Sequence, residues 1–72
     1  MAELSYEIEQ YIACISEEKN GWNKELNLVS WNGNTAKFDI RSWSADYSKM
    51  GRGITLSEQE LLTLKDVLDE LF

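Results

Sequence analysis

Histidine and proline are absent from these 72 residues, and cysteine occurs once, at Cys14. Without histidine there is no Ser-His or Cys-His pair to activate a nucleophile, and the commonest ligand of a catalytic metal is missing. A single cysteine closes no disulfide within the chain. Set among Ile12, Ala13 and Ile15, Cys14 is expected to be a buried, inert thiol. No apolar run approaches the roughly 20 residues of a membrane-spanning helix, and Met1 to Ser5 shows neither the basic start nor the apolar stretch of a leader. The chain is therefore expected to be soluble and cytoplasmic, with no membrane partner. Gly51-Arg52-Gly53 is too short to cradle a nucleotide phosphate, so no cofactor is expected, and catalysis is the least supported class.

What is present is acidic overall but unevenly so. The formal charge is −6, from 7 basic and 13 acidic residues. Five glutamates (Glu3, Glu7, Glu9, Glu17, Glu18) give residues 1–18 a charge of −5. Residues 19–53 carry Lys19, Lys24, Lys37, Arg41, Lys49 and Arg52 against Glu25, Asp39 and Asp46, or +3. From 54 onward the charge is −4. A polyanion senses the local field of one face, because exposed charges beyond about 8 Å are screened at physiological salt. Three tryptophans, three tyrosines and two phenylalanines accompany these bases. A chain this short buries too little surface for a generous stability margin, and a second copy of itself is the obvious source of a larger core.

No linker, repeat or low-complexity stretch divides the sequence, which is read as one domain over 1–72. Ser57 followed by Glu60 is a capping box, predicting a helix from 58 to about 71. Leu61, Leu64, Leu68 and Leu71 recur at spacings of three and four, and Leu62, Val67 and Phe72 widen the stripe. It suffices both for packing on a sheet and for meeting a partner helix; the charged positions between the leucines fall on a solvated face. Upstream the period becomes two. Phe38 and Ile40 alternate with Lys37, Asp39, Arg41 and Trp43, while Leu26 and Leu28 alternate with Asn27, Val29 and Trp31. Asn32-Gly33 between them signals a tight antiparallel hairpin. Gly51 to Leu56 reads as a short strand with Ile54 and Leu56 inward. Tyr6 to Ser16 fits both patterns: Leu4, Ile8, Tyr11, Ile12 and Ile15 suit a helix face, whereas the β-branched and aromatic content suits a strand.

The alternation places Trp31, Trp43, Lys37 and Arg41 together with Asn27 on the exposed face of the central strands, with Trp22, Lys24, Lys49 and Arg52 near its edges. Aromatic planes stack on unpaired bases at about 1–3 kcal/mol per base, and cations meet phosphates. A duplex, its bases already stacked, cannot use such rings. One tryptophan alone is more simply a core residue; two opposite the apolar positions of adjacent strands are better explained by a ligand.

Lys37-Phe38-Asp39-Ile40-Arg41, a loop, and then Gly51-Arg52-Gly53-Ile54-Thr55-Leu56-Ser57 leading into a leucine-rich helix resemble the single-stranded-DNA-binding domain of the transcriptional positive cofactor 4 family. The whole chain from about Tyr6 is most similar to its short bacterial YdbC type. The resemblance implies an α+β fold in which a four-stranded curved antiparallel sheet (near 6–16, 22–31, 37–44 and 52–56) precedes one C-terminal helix. It further implies a homodimer, with DNA across the outer sheet faces. It assigns Trp31 a base-stacking role and Arg41 and Arg52 contacts to the nucleic acid. Trp43 falls at an aromatic position, with Ser44 where eukaryotic members carry a second aromatic. Tyr47 and Lys49 correspond loosely, and Trp22 and Lys24 rest on the residue argument alone. The function expected is sequence-independent binding of single-stranded DNA in transcription, replication or repair. RNA binding and a protein-interaction module using the same face are the alternatives.

Overall fold

Twelve residues of β1 (Tyr6–Glu17) pair antiparallel with only nine of β2 (Asn23–Trp31), and the surplus is taken up by three irregularities, at Glu9, Ile12 and Ile15. Each such bulge adds a residue to one strand and bends it. As a result Tyr6, Ile8, Tyr11, Cys14 and Glu17 partner Trp31, Val29, Asn27, Glu25 and Asn23 on one face. Three bulges thus stretch a strand's period of two into spacings of three after Ile8, which leaves Ile8 and Tyr11 at a helix-like spacing while Ile12 and Ile15 fall at the bulges themselves.

The computed structural model describes residues 4–72. Met1 to Glu3, which begin the acidic N-terminal run, the expected domain and the segment read for a leader, lie outside the described residues. A short 3-10 turn, Lys19–Gly21, leads from β1 into β2; β3 (Lys37–Trp43), β4 (Met50–Leu56) and α1 (Glu58–Leu71) follow. The four strands form one open antiparallel sheet in sequential order, so fold class and element order match the expectation. Strand β4 starts at Met50, with a bulge where Trp43 meets Met50 and Arg41 meets Gly53. Asn32 (φ 52°) and Gly33 (φ 77°) make the expected turn, closed by Asn34 N donating to the Trp31 carbonyl at 2.9 Å. Pairing with β3 begins only at Val29–Lys37, however. Trp31 pairs with Tyr6 instead.

The sheet curls toward the aromatic face. Trp43 pairs with Asn23, and Trp31 lies eight residues further along β2, a contour of about 26 Å at the usual strand rise. Their ring centroids are nonetheless 6.4 Å apart, which a flat sheet cannot achieve. Val29 and Trp43 are the buried apolar residues in this concavity, beside buried Glu25, Asn27 and Asp39.

The opposite, convex face carries Leu26, Leu28, Phe38, Ile40 and α1, which packs on β3 and β4. No α1 residue is buried, and Ile54, expected inward, is 54% exposed because the helix covers so little of this face. Cys14, expected to be buried, is exposed: β1 is an edge strand, and none of the described residues covers this side chain. None of the described helices is long and apolar enough to cross a membrane.

Candidate functional site

Four rings close over the concavity. Tyr6 lies 5.9 Å from Trp31 and 5.3 Å from Trp43 between centroids, Trp31 and Trp43 are stacked with 15° between planes, and Tyr47 tilts against Trp43 at 5.8 Å. The Tyr6 hydroxyl donates to the Tyr47 carbonyl at 2.7 Å, tying β1 to the β3–β4 loop. Tyr47 in turn donates its phenol to both oxygens of Glu25 at 3.0 Å. Burial first, and then the Glu25 carboxylate, push that phenol above the ordinary tyrosine value. Glu25 also accepts from Asn27 Nδ2 at 3.0 Å. Asn27 Oδ1 and the indole nitrogens of Trp31 and Trp43 are buried without a hydrogen-bond partner among the described residues.

Beside the rings, Arg41 is held on several sides. Its Nε and Nη2 donate to the two oxygens of the fully buried Asp39 at 2.6 and 2.9 Å, a bidentate pairing that fixes the guanidinium plane. Thr55 on β4 donates its hydroxyl to the same Asp39 Oδ2 at 2.9 Å, and Arg41 Nη1 approaches Met50 Sδ at 3.6 Å. The guanidinium carbon sits 4.6 Å from the Trp31 ring centroid, a cation-π contact. Opposite Arg41 stands Gly53, where a Cβ would overlap Arg41 and the Ile40 carbonyl. Only glycine allows this approach.

The expected residues fall into three groups. Trp31, Lys37, Arg41, Asn27 and Trp43 do share one face, but not one exposure. Trp31 and Arg41 are half-buried, Lys37 is exposed, and Asn27 is fully buried. Trp43, expected as an exposed stacking ring, is 1% exposed; curvature has made it the floor on which the other rings rest. With Asn34, Thr35 and Thr55, Trp31 and Lys37 line a recess of about 210 Å³. Lys49, in the β3–β4 loop, and Arg52, in the β4 bulge, are exposed, and neither forms an ion pair among the described residues. Trp22 and Lys24 do not join this face. Lys24 pairs with Ser42, and Gly51, whose Cβ would face Ser42, would also meet the Trp22 ring; both belong to the convex side.

Tyr6, Tyr47, Glu25 and Asp39 are site residues that the alternation pattern did not single out. Tyr47 was signalled by a loose correspondence to the family and by its turn-forming neighbours Ser44, Asp46 and Ser48, and Tyr6 only by a register that the bulges disguise.

A curated protein of Treponema pallidum (strain Nichols), described as "Uncharacterized protein", is 44% identical over 69 residues, covering 96% of this chain and 81% of its own length. The family model described as Transcriptional Coactivator p15 (PC4) matches residues 18–67, which take in β2, β3, β4 and most of α1. The chain belongs to that family.

Proposed function

We propose that this protein binds single-stranded nucleic acid, DNA foremost, without reading its sequence, as a homodimer and as a binder rather than an enzyme, in support of transcription, replication or repair. The observation that carries the reading is the Trp31–Lys37 recess in a chain of the coactivator family. A half-buried indole beside an exposed ammonium offers a splayed base something to stack on and its phosphate something to meet. Lys49 and Arg52 extend the positive field beyond the recess, while α1 packs on β3 and β4 with Glu60, whose carboxyl is lowered chiefly by the Ser57 amide, near enough to Lys37 for that charge to help. The dimer is supported by the convex side itself: Leu64, Val67, Leu68 and Leu71 are exposed along one side of α1, an apolar surface of the kind that marks an interface.

Titration of intrinsic fluorescence with a thymine oligonucleotide, its duplex and the matched RNA, at two salt concentrations, tests the reading. Single strands are expected to bind and the duplex to bind far less. Affinity should fall with a log-log salt slope of about −0.7 per phosphate contacted. Trp31→Leu should remove most of the affinity. Equal affinity for duplex and single strand at moderate salt would reject the proposal; tighter binding of the RNA would reassign its preferred strand.

A further inference from the structure

An ionised carboxylate on a face that meets phosphates opposes binding unless it does something else there, and Asp39 is such a group: fully buried, on the face of Trp31 and Lys37, with both oxygens committed to Arg41. We infer that Asp39 is a positioning residue, which, buttressed by Thr55, locks the Arg41 guanidinium against the Trp31 ring so that the indole is held ready for a base. The inference rests on the reading of the face as a single-strand binding site. Three features of β4 serve the same lock: Thr55 donates to Asp39, Met50 meets the free edge of the guanidinium, and Gly53 leaves room for both strands to approach.

The lock divides labour among the bases. Arg41 spends its charge on Asp39 and its plane on Trp31, so it contributes to binding through the shape and rigidity of the stacking platform. Lys37, Lys49 and Arg52, none of which forms an ion pair among the described residues, supply the salt-dependent attraction.

Measuring oligonucleotide affinity for Asp39→Asn, Thr55→Val and the same changes in a Trp31→Leu background tests this. Asp39→Asn makes the face less negative by one charge, so simple electrostatics demands tighter binding; the lock demands weaker binding, by roughly tenfold, the scale of a coupled pair. Asp39→Asn also leaves Arg41 poorly compensated and is the variant at risk of not folding. Thr55→Val keeps the shape, the β-branching and the ion pair, and should weaken binding in the same direction by a smaller factor. Both effects should vanish without Trp31. Arg41→Met should lower affinity yet leave the salt slope unchanged, whereas Lys37→Met should reduce its magnitude by about 0.7. Unchanged or tighter binding by Thr55→Val and by folded Asp39→Asn, or losses that persist undiminished in the Trp31→Leu background, would overturn the inference. Absence of single-strand binding by the unmodified protein would instead overturn the functional reading beneath it.

Discussion

Tyr47 adopts φ 61°, a left-handed conformation that costs a residue with a side chain about 1–2 kcal/mol. Three contacts hold it there: its amide donates to the Ser44 carbonyl at 3.0 Å, its carbonyl accepts from Tyr6, and its phenol reaches Glu25. The loop beneath is built on Asp46, whose Oδ1 accepts from the Ser48 hydroxyl at 2.7 Å and from the Ser48 amide and Ser44 hydroxyl at 3.0 Å. The Ser48 hydroxyl is the largest of the causes that bring the Asp46 carboxyl from 3.8 down to about 2. Because the folded value lies below the unfolded one, this contribution to stability is complete above about pH 4 and is lost as the pH falls through about 2. Asp46→Asn, followed by denaturant unfolding between pH 7 and 2, should be less stable than the parent at neutral pH and converge with it at the acid end. A constant difference across that range would show that the carboxylate charge is not what organises the loop. Residues of this kind are only partly legible in sequence. The alternation correctly put Trp31, Trp43, Lys37 and Arg41 on one face, but a period of two says nothing about curvature, and curvature decided that Trp43 is floor and Trp31 is rim.

Among the elements, α1 was the most legible, since its start depends on a local hydrogen-bond motif. Ser57 Oγ accepts from the Glu60 amide at 3.1 Å, and the Glu60 carboxylate accepts from the Ser57 amide at 2.8 Å. That amide, more than any other group, holds the Glu60 carboxyl below its usual range. Ser57→Ala should cost about 1 kcal/mol, read as a fall in Tm of roughly 4–8 °C for a domain this small, and Ser57→Gly much less. Equal melting of Ser57→Ala and the parent at one protomer concentration would mean the cap contributes nothing. The strands β2, β3 and β4 were legible within two residues for the same reason of locality: alternating side chains and an Asn-Gly turn are properties of neighbours. β1 was not, because its bulges depend on the partner strand. Ile8 and Tyr11 therefore stand at a spacing that suits a helix as well as an edge strand, and the resemblance, not the periodicity, selected the strand.

At the scale of the molecule, the described chain is short of an interior. Its accessible surface is 5560 Å², where a folded monomer of its mass would expose roughly 4,600 Å². Its radius of gyration is 13.2 Å, against about 11 Å for a compact chain of this length. The excess of about 1,000 Å² is comparable to the 800 Å² that each partner buries in a standard interface. The groove that Leu26 forms with Leu61, Leu64, Lys65, Leu68 and Asp69, about 300 Å³ in volume, marks where a second copy would seat in the proposed dimer, on the face away from the rings. Leu68→Glu separates the two accounts of this surface. If α1 simply faces water, a charge at a residue already 41% exposed should change stability by no more than about 0.5 kcal/mol and leave the solution mass that of one chain in parent and variant alike. If α1 meets its counterpart, the parent should sediment as two chains and melt at a temperature that rises with concentration. The variant should then sediment as one chain, melt well below the parent and lose that dependence, because a buried carboxylate would have to be neutralised before the helices could close.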